Sequence, residues 1–255
     1  KTYGVPFLIS EHTLHSLEDP SRYKIRFLAR RRVKGKQEAQ SVYEVFDADP
    51  PSMRAAKQRT RKRFEEALAF YFVGDIFRAR TRLVRCLEEA PDDAPARFYL
   101  TRCDEFLRSG RTEGIEENEL TQTWSEEYSC GVAEIDSQHR ILLSQMNALA
   151  TAVREGRLAD TVPILARIER DARLQFDTEQ ALMQETRYMF LQEHTHQHRR
   201  FLDNLQQLSA EIRAESENPV YLAFRIKLLL MDWTINHSVK TDRHLGQHLK
   251  SRSGG

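Results

Sequence analysis

Apolar positions along this chain change period. Phe7-Leu8-Ile9-Ser10 is a short apolar run, and from Lys24 to Val33 the residues alternate. Ile25, Phe27, Ala29, Arg31 and Val33 fall on one side, and Lys24, Arg26, Leu28, Arg30 and Arg32 on the other. A two-residue period with one partly apolar side predicts a β-strand. Lys34-Gly35-Lys36 supplies a turn, and Val42-Tyr43-Glu44-Val45-Phe46 a returning strand. Two or three strands bury too little surface to stand alone, so residues 1–49 are expected to close a larger domain.

Asp49-Pro50-Pro51 breaks the strand pattern, and residues 54 to about 108 follow a helical period. Phe64, Ala67, Phe70 and Tyr71 form one stripe. After a break at Gly74, Phe77, Ala79, Leu83 and Cys86 continue it. Pro91 and Pro95 are expected to close the second helix, and Phe98, Leu100, Cys103 and Leu107 mark a third. Ser109-Gly110-Arg111-Thr112-Glu113-Gly114, polar and carrying two glycines, reads as a linker, so that residues 50–108 form a helical connector and 109–122 join it to the rest.

Composition narrows the partners. The 255 residues carry 39 basic and 38 acidic side chains, a balance that invites neither nucleic acid nor an acidic-tail role. The run Ala29-Arg30-Arg31-Arg32-Val33-Lys34-Gly35-Lys36 alternates as a strand does. No apolar stretch approaches the ~20 residues of a membrane-spanning helix, and no secretory signal is visible, although the chain begins at Lys1 and further sequence upstream is expected. Cys86, Cys103 and Cys130 are odd in number and widely spaced, which fits reduced thiols and a cytoplasmic location. Cys86 and Cys103 lie on apolar stripes, and Cys130 is expected to be buried.

Lys1-Thr2-Tyr3-Gly4-Val5-Pro6-Phe7-Leu8-Ile9-Ser10-Glu11, with Arg32-Val33-Lys34-Gly35-Lys36 and Val42-Tyr43-Glu44-Val45-Phe46, resembles the closing strands of class III adenylate/guanylate cyclase domains over about fifty residues. The resemblance implies that the family's metal-binding aspartates and transition-state Asn and Arg lie upstream. Cyclase chemistry is therefore not expected of this chain, which carries no complete catalytic site. It also implies that Lys36 would approach nucleotide phosphates, unless the hairpin turn is simply solvated. Phe70, Gly74, Ala79, Leu83, Cys86 and Pro91 stand at the offsets of a tetratricopeptide repeat, a helical hairpin of which several copies are normally stacked. One and a half units are taken here as a connector or homodimer contact.

The second half holds the chemistry. His139, Glu179, His194, His198, His237 and Asp242 fall at the spacing of a di-iron site, with residue types that suit iron and pairs that can project into one helical core. Residues four apart lie about 40° apart around a helix, so Gln175 shares a face with Glu179, and His194 with His198. His237 and Asp242, five apart, diverge further, so the aspartate is expected to reach round its helix.

From Trp124 to Leu249 the chain resembles bacterial hemerythrins. The matching elements are Trp124, Gly131-Val132 and Ile135-Asp136-Ser137-Gln138-His139; then Phe176, Glu179, Leu182 and Met183; then Tyr188, His194, His198 and Phe201; and finally Trp233, Asn236, His237 and Asp242. The resemblance implies a mainly α fold, an antiparallel four-helix bundle over residues 123–255 with helices at roughly 137–155, 159–186, 190–214 and 219–245. It implies non-haem iron, with His194, His198 and His237 on one metal. Glu179 and Asp242 would bridge to a second, which His139 and residue 175 would complete.

Residue 175 departs from that pattern. The family has His there, and the Gln175 carbonyl is a neutral, poor ligand. Three outcomes stay open: a weak second iron with extra water, one iron, or a metal-free fold. Thr234 and Ser238 replace residues that are usually apolar beside the oxygen pocket. Their hydroxyls could donate hydrogen bonds to a reduced oxygen species and admit water, which favours sensing over oxygen storage. His196 is expected to be exposed and Trp124 and Trp233 to be core. His244 and His248 are either surrogate ligands or helix-terminal residues favoured by the dipole.

The order of these segments points to an oxygen or redox sensor, responding to dioxygen or a related small oxidant, that regulates a cyclase domain in cis. The alternatives are an iron-dependent enzyme handling peroxide or nitric oxide, and a metal-free interaction module.

Overall fold

A computed structural model describes residues 3–32, 39–110, 120–214 and 217–253. The chain divides into two compact units, Lys1–Asn118 and Glu119–Gly255. Lys36 and most of the 109–122 linker lie outside the described residues.

In the first unit, strands β1 (Leu8–Ser10), β2 (Ile25–Arg32) and β3 (Ala39–Val45) form an antiparallel sheet in the order β1-β3-β2. Helix α1 (Glu11–Ser16) follows β1, capped by the Ser10 side chain. Helices α2 (Pro51–Phe72), α3 (Ile76–Glu89) and α4 (Ala94–Ser109) complete the unit. The strict alternation expected of β2 fails at Leu28. Phe27 pairs with Tyr43 and Ala29 with Val42, so Leu28 is the extra residue of a bulge, and Phe27, Leu28 and Ala29 are all buried. The displaced Leu28 carbonyl accepts from Tyr99 Oη of α4 at 2.8 Å, which satisfies a group that the bulge takes out of the ladder.

Arg26 was expected on the polar side and is instead only 1 % exposed. Its Nη1 and Nη2 donate to both Asp93 oxygens at 2.7 Å, its Nε donates to Glu44 at 2.5 Å, and the Phe64 ring lies 4.2 Å beneath the guanidinium. Lys57 Nζ donates to the other Glu44 oxygen and to Asp49, both at 2.6 Å. One buried network of alternating charge thus joins β2, β3, α2 and the α3–α4 turn, and Asp93 also caps α4. The connector helices and the strands therefore share a single interior.

Three helical details differ from expectation. Phe77 is 72 % exposed and Leu107 51 %. The buried face of α3 runs Ile76, Ala79, Leu83, Cys86, because the Asp75 cap starts that helix at Ile76. The α4 face is Ala96, Tyr99, Cys103. Pro95 does not close the second helix but sits in the first turn of the third, where its missing N–H is harmless.

The second unit is a helical bundle of α5 (Ala133–Arg154), α6 (Leu158–Glu185), α7 (Leu191–Arg213) and a continuous helical run from Pro219 to Ser253. That run comprises α8 (Pro219–Ile226), a π-helical turn at Lys227–Met231, α9 (Asp232–His237), a second π turn at Ser238–Asp242, and α10 (Arg243–Ser253). Leu142, Met146, Leu149, Ile168, Phe201, Leu208, Ile226 and Leu230 fill its centre. The segment before α5 crosses α10 at Gly246, where a Cβ would stand 2.3 Å from the Cys130 carbonyl oxygen, so only glycine permits the crossing.

Removing Asp93 should leave Arg26 buried without a full partner. Asp93→Ala is expected to lower the stability of the first unit by about 3–5 kcal/mol, read from urea denaturation of the whole chain. A loss below about 1 kcal/mol would contradict this account of the network.

Candidate metal centre

Five side chains from three helices converge. Glu179 stands on α6, His194 and His198 on α7, and His237 and Asp242 on the last run. All are buried, and their donor atoms lie within 4.8 Å of one another. The Asp242 backbone does not reach round its helix. In an ideal α-helix residues five apart are separated by about 140°. The π turn at Ser238–Asp242, bonded i→i+5, makes five residues nearly one turn and brings Asp242 over His237.

The closest donor pairs stand 3.0–3.1 Å apart. His237 Nε2 lies 3.0 Å from His194 Nε2 and 3.1 Å from His198 Nε2. Glu179 Oε2 is 3.0 Å from both His194 and His198 Nε2, and Asp242 Oδ1 is 3.1 Å from both His194 and His237 Nε2. Side chains whose donor atoms approach this closely would together hold a divalent first-row metal.

Hydrogen bonds alone satisfy this group poorly. His237 Nδ1–H donates to Gln197 Oε1 at 2.9 Å, which also accepts from Thr241 Oγ1 at 3.1 Å. The His237 Nε2 lone pair therefore faces two other imidazole nitrogens. Both Asp242 oxygens and His194 Nδ1 are buried without a well-aligned hydrogen bond. Three imidazoles and two carboxylates around one point suit a first-row transition metal. Aromatic rings hold two of the imidazoles: Phe176 stacks on His198 at 3.9 Å and Trp233 on His237 at 4.4 Å.

The two carboxylates also face a second set of groups. Asp242 Oδ2 is 3.1 Å from His139 Nε2 of α5, and Glu179 Oε1 accepts from Gln175 Nε2 at 2.8 Å. Gln175 Nε2 is also 2.7 Å from His139 Nε2, while Gln175 Oε1 is buried without a partner. His139 is thus not one of the five converging donors; it touches them through Asp242.

The other candidates take different places. Thr234 Oγ1 donates to the Leu230 carbonyl at 2.8 Å. Ser238 Oγ donates to the Tyr128 carbonyl at 2.6 Å and accepts from His139 Nδ1 at 3.2 Å. Both hydroxyl hydrogens are thereby engaged. His196 is half-buried rather than exposed, and Trp124, also half-buried, lies over His139 at 6.3 Å instead of in the core. His244 Nδ1 pairs with Tyr188 Oη at 2.7 Å and His248 Nε2 with the Thr186 carbonyl at 3.2 Å, both outside the converging group. Burial pushes the Cys130 thiol well up, so it stays protonated. Gln197 and Tyr128 were not anticipated: a glutamine between two candidate ligands and a backbone carbonyl leave no residue-type signal.

Electrostatics in the metal-free group are opposed. Burial disfavours charge on His194, but Asp242 and Glu179 outweigh it and hold its pKa up at about 9. Burial pushes His237 down to about 4, against the pull of Asp242. Burial also works against charge on Glu179 and Asp242, yet the surrounding histidines hold both below the ordinary carboxylate range.

No protein-family model matches the chain. Among known proteins, it is similar to "Adenylate cyclase, terminal-differentiation specific" of Dictyostelium discoideum, 26 % identical over 110 residues, which is 43 % of this chain and 5 % of that protein. It is also similar to "Bacteriohemerythrin" of Stenotrophomonas maltophilia (strain R551-3), 23 % identical over 128 residues, 50 % of this chain and 81 % of that protein. These weak likenesses suggest cyclase-related and hemerythrin-like segments, and with the buried His/Glu/Asp group they fit an iron-binding signalling domain in general terms.

The pKa directions set a pH profile. The raised His194 value contributes stability that is complete below its ordinary value of 6.5 and is lost as pH rises through about 9. The lowered His237 value contributes stability that is present above 6.5 and lost as pH falls through about 4. Chelator-treated protein should therefore show its highest urea midpoint near pH 6.5, and His194→Ala should flatten the alkaline decline. An unchanged alkaline decline in that variant would refute the assignment.

Proposed function

We propose that residues 123–255 are a hemerythrin-like, antiparallel four-helix bundle that binds non-haem iron and senses oxygen or redox state for a class III nucleotide cyclase. In this reading residues 1–49 are closing strands of the cyclase domain, 50–108 a tetratricopeptide-like connector that also offers a homodimer contact, and 109–122 the link to the sensor. The protein would work in the cytoplasm; no helix among the described residues is long and apolar enough to cross a membrane. The observation that carries the proposal is the buried convergence of Glu179, His194, His198, His237 and Asp242.

Bound iron would supply a redox-active centre that responds to dioxygen or a related small oxidant. The chain's own residues do the rest. Gln197 fixes the His237 tautomer, Phe176 and Trp233 exclude water from two imidazole faces, and Ser238 orients His139.

A hydrogen-bonded route also leads from His139 to the segment that joins the linker. His139 Nδ1 bonds Ser238, and Ser238 bonds the Tyr128 carbonyl. Tyr128 Oη accepts from Gln122 Nε2 at 2.9 Å. Gln122 is fixed in turn: its backbone N–H and C=O pair with Asn147 at 2.8 Å each, and its Oε1 accepts from the buried Lys227 at 3.0 Å. Lys227 opens the first π turn of the helical run that carries His237 and Asp242. A change at the centre can therefore reach residues 120–130 through Ser238 and through that helix.

The test uses chelator-treated protein, loaded anaerobically with ferrous iron and then exposed to air. Iron should raise the melting temperature, because a ligand of the native state stabilises it, and His198→Ala should weaken binding by more than about 100-fold. Amide hydrogen exchange over residues 120–130 should differ between the ferrous and air-exposed states, and Ser238→Ala should reduce that difference. Iron binding with identical exchange in every state would sink the sensor reading. No iron binding would leave the bundle as an interaction module.

A further inference from the structure

Resting on the assignment of Glu179, His194, His198, His237 and Asp242 as iron ligands, we propose that this centre holds one metal ion, with the Gln175 amide nitrogen standing where a second would bind.

The two faces of the bridging carboxylates are chemically unlike. On one face Glu179 Oε2 and Asp242 Oδ1 meet three imidazole nitrogens at 3.0–3.1 Å, and the shared hydrogens are too few to satisfy them all. A cation is what that face lacks. On the other face a directional chain of hydrogen bonds is already closed. Ser238 spends its only hydrogen on the Tyr128 carbonyl, so it can only accept from His139 Nδ1–H. That tautomer puts the lone pair on His139 Nε2, which accepts one amide hydrogen of Gln175 at 2.7 Å and faces Asp242 Oδ2 at 3.1 Å without a proton between them. The other amide hydrogen goes to Glu179 Oε1 at 2.8 Å. The Gln175 NH2 group therefore bridges an imidazole nitrogen and a carboxylate oxygen, two atoms that a second metal would need.

Turning the amide over would present Gln175 Oε1 to the site, but against the Glu179 oxygen and the His139 lone pair. The observed orientation keeps Oε1 buried without a partner, and the two N–H bonds outweigh that cost. Charge points the same way. One divalent cation is neutralised by Glu179 and Asp242, and a second would bring two further positive charges into a buried site. The next buried carboxylate, Asp136, is turned away to Ser129 Oγ at 2.6 Å and the Cys130 N–H at 2.8 Å.

The experiment counts metal. Wild type, Gln175→His and Gln175→Glu are loaded anaerobically with excess ferrous iron, desalted, and assayed for iron per chain. One iron in wild type and two in Gln175→His are expected. Gln175→Glu, which restores a ligand with a smaller side chain, serves if the histidine variant does not fold. In zinc-loaded wild type, the Gln175 side-chain NH2 protons should exchange with solvent at least about 100-fold more slowly than those of an exposed glutamine. Two irons in wild type, one iron in wild type and both variants alike, or fast exchange of the Gln175 amide would each overturn the proposal. No iron in any of the proteins would instead overturn the iron-binding reading on which it rests.

Discussion

Two carboxylates, Glu179 and Asp242, sit fully buried in the middle of a helical bundle, and the rest of the second unit is arranged around them. An ionised carboxylate taken out of water is costly unless it is paired, and no lysine or arginine reaches either one among the described contacts. Their partners are imidazoles, which can be neutral or charged. The balance of the interior is therefore set by protons in the metal-free chain and by a cation in the proposed loaded one. Exchanging one for the other changes the charge borne by the same few atoms.

Holding Asp242 in that group depends on helix register. A regular α-helix would direct His237 and Asp242 to different faces, and the π turn between them removes the discrepancy at the cost of weaker backbone hydrogen bonding. The same run contains a second π turn at Lys227–Met231, where buried Lys227 meets Gln122 and Asp232. Both departures from α geometry thus coincide with buried polar contacts. The first unit resolves a similar problem differently. Its buried charged side chains, Arg26, Lys57, Glu44, Asp93 and Asp49, hydrogen-bond directly to one another across β2, β3, α2 and the α3–α4 turn.

Much of this was legible in the sequence, for identifiable reasons. The helices that the hemerythrin resemblance implies at 159–186 and 190–214 stand at Leu158–Glu185 and Leu191–Arg213. His194 and His198 share a face because they stand four apart, whereas Asp242 joins the five converging candidates only through the π turn. What the sequence hid was non-local or directional. Arg26 looked like a surface residue because its partner Asp93 lies 67 positions away. The bulge at Leu28, the π turn before Asp242 and the hydroxyl of Ser238 turned toward Tyr128 have no signature in residue type. Phe77 and Leu107 were misplaced because apolar character alone was allowed to choose the helix face.

His139 joins the buried charge group to the segment that precedes α5. It touches Asp242 through Nε2 and Ser238 through Nδ1, so its two nitrogens belong to different structures: the buried charge group on one side, the Tyr128–Gln122 segment on the other. Its tautomer is set from outside by Ser238, and the demand on its other nitrogen is set from inside by Gln175 and Asp242. A residue held in this way cannot respond to one side alone. Asp242 Oδ2 and the Gln175 amide nitrogen both face Nε2, so a change of charge at Asp242 alters the balance between those two contacts. Any shift of Tyr128 alters the acceptor that fixes Nδ1. For a domain proposed to report on its centre, that coupling places the response at the linker-side segment rather than at the far end of the bundle.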